Sequence, residues 1–181
     1  LSFSPERFLK VNQQKIITSP IKGTVRTDSN KEIDLKLKNE LIKSEKDQAE
    51  NLMIVDVLRN DLSRVCEHGS VKVNKLAALE TYKNVHHLVS EIEGKLTKNN
   101  DVINLLNSSL PGGSITGAPK VRAMEIISEL EKNNRGVYCG TIGYMSFSGQ
   151  ADFNIPIRTI TINENKNEAY LNSGGGIVSD S

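Results

Sequence analysis

The chain has 181 residues, 37% of them hydrophobic and 25% charged, with a formal net charge of +1. So even a charge balance gives no reason to expect nucleic acid or an anionic membrane as partner, and no apolar run approaches the ~20 residues that span a bilayer. The first residues lack the basic and apolar regions of a signal peptide, and with no tryptophan and 4% aromatics a base-stacking platform is not expected.

Residues 2–26 read as strand, turn, strand: Phe3, Phe8 and Val11, a turn at Asn12-Gln13-Gln14, then the β-branched run KIITSPI. Residues 32–65 read as one long helix or two in series, a charged first half followed by an apolar face at Leu52, Ile54, Val55 and Leu58. HGSVKVNKLAALETY returns to strand after a turn at His68-Gly69-Ser70, and VHHLVSEIEGKL (85–96) fits strand or helix. Asp101 can cap a short helix to about Ser108.

PGGSITGAP is a loop leading into a helix, with Pro119 in the first turn and an apolar face at Val121, Met124, Ile127 and Leu130. Three β-runs close the chain: GVYCGTIGYMSF, FNIPIRTITIN and EAYLNSGGGIV. Strands and helices are segregated, which predicts an α+β fold, and there is no internal repeat or interdomain linker. Cys66 and Cys139 form no C-x-x-C pair and are expected as reduced, buried thiols of a cytoplasmic protein.

Several residues could carry chemistry. Asp47 and Glu50, three apart on a helix, would share one face, and such a carboxylate pair suits magnesium; the plain alternative is a solvated charge pair. PGGSITGAPK lacks the Walker spacing but leads to a helix N-terminus, where backbone N–H groups attract anions. Gly174, Gly175 and Gly176 would let a ligand approach the backbone closely. Arg158, inside the run NIPIRTITI, would be surface-facing or buried with a partner. His86 and His87 would point to opposite faces of a strand, so at most one serves a site. Lys22 in PIKGT is either an ordinary solvated charge or a group held for chemistry. From these residues alone the expectation is a site for an anionic small molecule, with magnesium.

Taken in order, SPERF, PIKGT, AENLMIVDVLRNDLSRV, VHHLVS, PGGSITGAPKVRAMEIISELE, RGVYCGTIGY and GGGIVSDS resemble the chorismate-utilising enzymes. The resemblance runs from residue 2 to residue 181. It implies one chorismate-binding domain over 1–181, made of antiparallel sheets in a sandwich with helices packed outside. It also implies that this domain is partial, lacking the family's N-terminal half and its extreme C-terminus with further glutamate ligands to magnesium, so that the chain as given could be inactive and would leave apolar sheet faces uncovered.

Within the family, a lysine in PIKGT resembles the aminodeoxychorismate synthases, where anthranilate synthases read alanine. That implies amination of chorismate at C4, on the route to 4-aminobenzoate and folate, with Lys22 as covalent nucleophile and Glu6 as general acid. The same resemblance implies that Glu50 binds Mg2+ and that Asp47 holds it through water. Gly23, Thr24, His87, Ser114, Tyr138, Arg158, Gly174, Gly175 and Gly176 would contact chorismate. Ammonia would come from a glutamine amidotransferase subunit. The rival readings are anthranilate synthase component I, isochorismate synthase, and a fragment that binds without catalysing.

Overall fold

Buried Phe8, Leu9 and Val11 seat β1 (Arg7–Asn12), whose register shifts at its start, as one side of a hairpin; its two-residue turn puts Gln13 at φ 57° and leads into β2 (Lys15–Ser19). The computed structural model describes residues 1–176. The Ile177–Ser181 end of the GGGIVSDS string lies outside the described residues. Where two strands are expected over 2–26, there are three. Pro20 has no N–H to continue the ladder, so the chain breaks there and resumes as β3 (Ile21–Arg26), although the Pro20 carbonyl still accepts from Ser90 N at 3.1 Å.

The long helical region resolves into α1 (Lys31–Lys43) and α2 (Glu45–Ser63). Ser44 is the cause. Its extended backbone ends α1, and its hydroxyl accepts from Asp47 N at 3.2 Å to cap α2. On α2 the buried positions Asn51, Ile54, Val55, Leu58, Asp61 and Leu62 follow helical spacing. The expected turn at 68–70 is present, with Gly69 at φ 74°, and leads to β4 (Lys72–Thr81).

The segment 85–96, ambiguous in sequence, is strand β5 (Val85–Lys95). Residues 86–90 are buried without alternation, because sheet neighbours and α2 cover both faces; that erases the period-two signal. Asp101 caps α3 (Val102–Ser109) in a reciprocal capping box with Asn104. A single 3-10 turn (Gly113–Ile115) precedes α4 (Lys120–Leu130), and Pro119 stands at its N-cap rather than within the first turn.

The last runs are shorter than the sequence suggests: β6 (Ile142–Met145), β7 (Gln150–Asn154), β8 (Ile160–Asn163) and β9 (Glu168–Leu171). Tyr138 and Cys139 fall in a turn, with Cys139 at φ 62°, not in a strand. FNIPIRTITIN is broken rather than continuous. Pro156 interrupts the ladder, and Arg158 sits in a bend between β7 and β8.

Among the described residues the strands form a seven-stranded antiparallel sheet ordered β3-β5-β2-β1-β7-β6, with β4 on the other edge of β5, and a separate β8-β9 pair. The architecture is α+β. One core joins the sheet to α2 and α3 through Phe8, Leu9, Ile16, Ile54, Leu58, Leu62, Ile92, Leu105 and Ile155. Each such side chain contributes about 1.5–3 kcal/mol by leaving water. A polar line fixes the rotation of α2 on the sheet: Ser90 Oγ donates to Asn51 Oδ1 and accepts from Ala77 N at 2.9 Å.

The apolar stripe of α4 is not buried: Val121 is 71% and Leu130 75% exposed, and only Ile127 is partly covered. Ile142, Tyr144 and Met145 on β6 are exposed as well. Cys66 and Cys139 are free and buried. Among the described residues no helix is long and apolar enough to cross a membrane.

Candidate active site

Gly23 interrupts the register of β3 against β5: Lys22 pairs with Leu88 and Thr24 with His87, leaving Gly23 as the extra residue of a bulge. Its φ of 80° suits glycine. A Cβ there would lie 2.9 Å from Leu41 Cδ1 and 3.0 Å from Asp47 Cγ, so the first turn of α2 is seated directly on the bulge. This kink displaces Lys22 from ordinary strand geometry. The half-buried Lys22 sends Nζ to the carbonyl oxygen of Ser114, 3.4 Å away.

Glu6 stands immediately before β1, its carbonyl accepting from Ile155 N at 3.1 Å, and is only 7% exposed. Burial pushes its carboxyl above the ordinary 4.5, against the nearby Ser114 side chain and the charges of Lys22 and Arg158. Ser114 therefore meets Lys22 through its backbone, while its side chain is near enough to act on the Glu6 carboxyl.

Thr24 Oγ1 and His87 Nδ1 are 2.8 Å apart across the β3–β5 pair. Burial holds the His87 imidazole below its ordinary value, and the charge of Arg158 pushes the same way. His86, the neighbour expected on the other face, is engaged elsewhere: Nε2 contacts Asp34 at 2.8 Å and Nδ1 contacts Thr81 at 3.0 Å, tying α1 to the sheet. The backbone of Arg158 is fixed by Ser4 Oγ and Phe3 N, each at 2.9 Å. Among the described residues its exposed guanidinium has no hydrogen-bond or ion-pair partner, which leaves it open to an anion.

The triple glycine runs between two of the other candidates. A Cβ on Gly174 would fall 2.9 Å from the Tyr138 hydroxyl, and one on Gly176 would fall 3.2 Å from Glu50 Oε2. Gly175 has open space where its side chain would be. Burial raises the Tyr138 phenol above its ordinary value.

The structure thus assembles Lys22, Glu6 and Ser114 into one contact set, with Asp47 behind Gly23. It brings Thr24 and His87 together near Arg158, and Glu50 and Tyr138 against the glycines. An open hollow of about 590 Å³ on the outer face of α1 is lined by Leu35, Asn39 and Lys43 and holds none of these groups. Because it is one helix's outer surface, we place the chemistry at the convergent polar groups instead.

Among the described residues no group of three or more His, Cys, Asp or Glu could close around a metal. Asp47, against Gly23, and Glu50, against Gly176, are half-buried carboxylates of the kind that hold magnesium singly or in pairs with water and substrate oxygens.

Sequence reasoning missed the supports of the Ser114 loop. Lys120 Nζ reaches Asp61 Oδ2 at 2.5 Å and Ser109 O at 3.0 Å, and burial lifts the Asp61 carboxyl despite that partner. Arg135 donates to Ile115 O at 2.9 Å. The available signal was two cations flanking a glycine-rich loop, APK before the helix and RGV after it.

The family model for chorismate binding enzymes matches residues 1–181. The chain belongs to the chorismate-binding enzyme family. This member is 51% identical over 181 residues to aminodeoxychorismate synthase component 1 of Klebsiella aerogenes, covering all of this chain and 40% of that protein. It is 44% identical over 178 residues to anthranilate synthase component 1 of Mycolicibacterium smegmatis, covering 98% of this chain and 34% of that protein. Among solved structures, anthranilate synthase component I from Streptococcus pneumoniae superposes with a TM-score of 0.78 at 40% identity, covering 88% of this chain and 35% of that one. The chain therefore spans about 40% of the Klebsiella relative's length. The α+β fold of this chorismate-binding enzyme is that of its family.

Proposed function

We propose that this chain is the chorismate-binding part of an aminodeoxychorismate synthase component 1, which converts chorismate and ammonia to 4-amino-4-deoxychorismate and water. The observation that carries the reading is the shared contact of Lys22 and Glu6 with Ser114, an amine and a buried carboxyl held at one point. The 51% identity to aminodeoxychorismate synthase component 1 supports it further.

In this reading the free amine of Lys22 attacks C2 of chorismate. Both ring double bonds shift, C1=C2 to C1=C6 and C5=C6 to C4=C5, and the C4 hydroxyl leaves as water, taking a proton from Glu6. An acid with a raised pKa suits that donation. Ammonia then attacks C4, both double bonds return to C5=C6 and C1=C2, and Lys22 is expelled from C2 as the amine; the proton lost by the incoming ammonia returns to Glu6. Arg158 and Tyr138 hold the enolpyruvyl carboxylate, while Gly174, Gly175 and Gly176 offer backbone N–H groups at the same end. His87 and Thr24 line the ring.

Asp47 and Glu50 would hold magnesium, which when bound neutralises the ring carboxylate and the charge of the departing hydroxyl. A glutamine amidotransferase subunit would deliver the ammonia, in the cytoplasm.

The test is to supply the natural full-length polypeptide with chorismate, ammonium and magnesium, and to identify the product by mass and fluorescence. Aminodeoxychorismate supports the proposal. Anthranilate, isochorismate or unchanged chorismate overturns it.

A further inference from the structure

The Ser114 turn has little of its own to hold it in place. Its local bonds, Ile115 N to Gly112 O and Thr116 N to Gly113 O, are long at 3.3 Å, and Thr116 Oγ1 adds one to Gly112 O at 2.9 Å. Gly113 rests on α2, where a Cβ would come within 2.7 Å of Val57 Cγ1. That contact gives the turn a floor but no direction.

A charged group supplies the direction. Arg135 Nη1 donates to Ile115 O at 2.9 Å, on the peptide next to Ser114. Its other two nitrogens fork the Glu131 carboxylate, Nε to Oε2 at 2.9 Å and Nη2 to Oε1 at 2.7 Å. The guanidinium is a planar, pre-organised fork, so once Glu131 fixes two of its donors the third can point only one way. Arg135 also lies close enough to Tyr138 and Cys139 for its charge to act on both. One side chain thus joins the Ser114 turn to the turn that carries Tyr138.

We propose that Arg135, aimed by Glu131, is a positioning residue that sets the Ser114 turn and through it the placement of Lys22 against Glu6. Its catalytic consequence rests on the function proposed above; the placement itself does not. Arg135 touches none of the reacting groups. It acts through a backbone carbonyl, so charge without the fork is not enough.

The experiment is competitive acetylation of lysines over a pH series on the natural full-length polypeptide, read peptide by peptide by mass spectrometry, for wild type, Arg135→Gln and Arg135→Lys. Lys22 labelling should change at least threefold in both variants, while the exposed Lys10 and Lys98 keep their wild-type curves. With chorismate and ammonium, kcat should fall about a hundredfold, the scale of an ångström-sized misplacement, with KM changing far less. The nearby Ser114 side chain holds the Glu6 carboxyl down, so the alkaline limb of the pH profile should move to higher pH. Unchanged Lys22 labelling, wild-type labelling in Arg135→Lys, or an equal change at all lysines would each overturn the proposal. A selective Lys22 change in a protein whose wild type aminates nothing supports the positioning role and refutes only the functional reading.

Discussion

Glu6, just ahead of β1, and Lys22, on β3, converge on Ser114: the lysine donates to its carbonyl at 3.4 Å, and the serine side chain lies near enough to the Glu6 carboxyl to hold that carboxyl down. Neither β1 nor β3 alone makes this meeting. It requires the Gly23 bulge to offset Lys22, and the 111–119 loop to cross over from α3 and α4.

Glu6 should make stability pH-dependent. Its folded carboxyl lies above the ordinary 4.5 because of burial, so the folded state binds the extra proton. The stability Glu6 contributes is fully present below about 4.5 and is lost as pH rises through the folded value. Glu6→Gln should therefore be more stable than wild type at neutral pH and lose that advantage below 4.5. Urea midpoints at several pH values decide it; an advantage independent of pH would contradict the assignment.

Lys120 and Asp61 form an ion pair with side chains only 17% and 3% exposed. Lys120→Met removes the partner of a buried carboxyl and should cost about 3–5 kcal/mol. The double change Asp61→Leu with Lys120→Met should cost much less, because no orphaned charge remains. Equal losses in the single and double variants would show that the pair has no such role.

Gly23→Ala combines a left-handed backbone with contacts of 2.9 Å and 3.0 Å to Leu41 and Asp47. The backbone strain alone should cost about 1–2 kcal/mol. Because the bulge sets Lys22, amination should fall further than the stability loss explains. Gly69→Ala, with φ 74° and nothing near its Cβ, isolates the strain: similar destabilisation with activity kept.

Much of this was legible from the chain. Asp101 is readable as the cap of α3 because its signal is local; its reciprocal partner Asn104 came only with the fold. The hairpin turn after Asn12 and the turn at 68–70 are likewise short-range. What escaped depends on distant partners. β5 lost its alternation because both faces are covered, and Pro156 broke a run whose β-branched residues read as continuous strand.

The candidate site divides the same way. Lys22, Glu6 and Glu50 sit in strings that carry a family resemblance. Arg135 and Lys120 do not show their roles, since the carbonyl of Ile115 and the carboxylate of Asp61 come near them only in the folded chain. The exposed stripe of α4 misleads a periodicity argument, which reports an apolar face but not what lies against it.

The central claim is that Lys22 is the nucleophile, and the most direct measurement compares wild type with Lys22→Ala in the full-length polypeptide, supplied with chorismate, ammonium and magnesium. The account predicts aminodeoxychorismate from wild type, together with a chorismate-derived mass on the peptide carrying Lys22 when ammonium is withheld, and loss of both in the variant. Amination at C4 persisting at the wild-type rate in Lys22→Ala would contradict it.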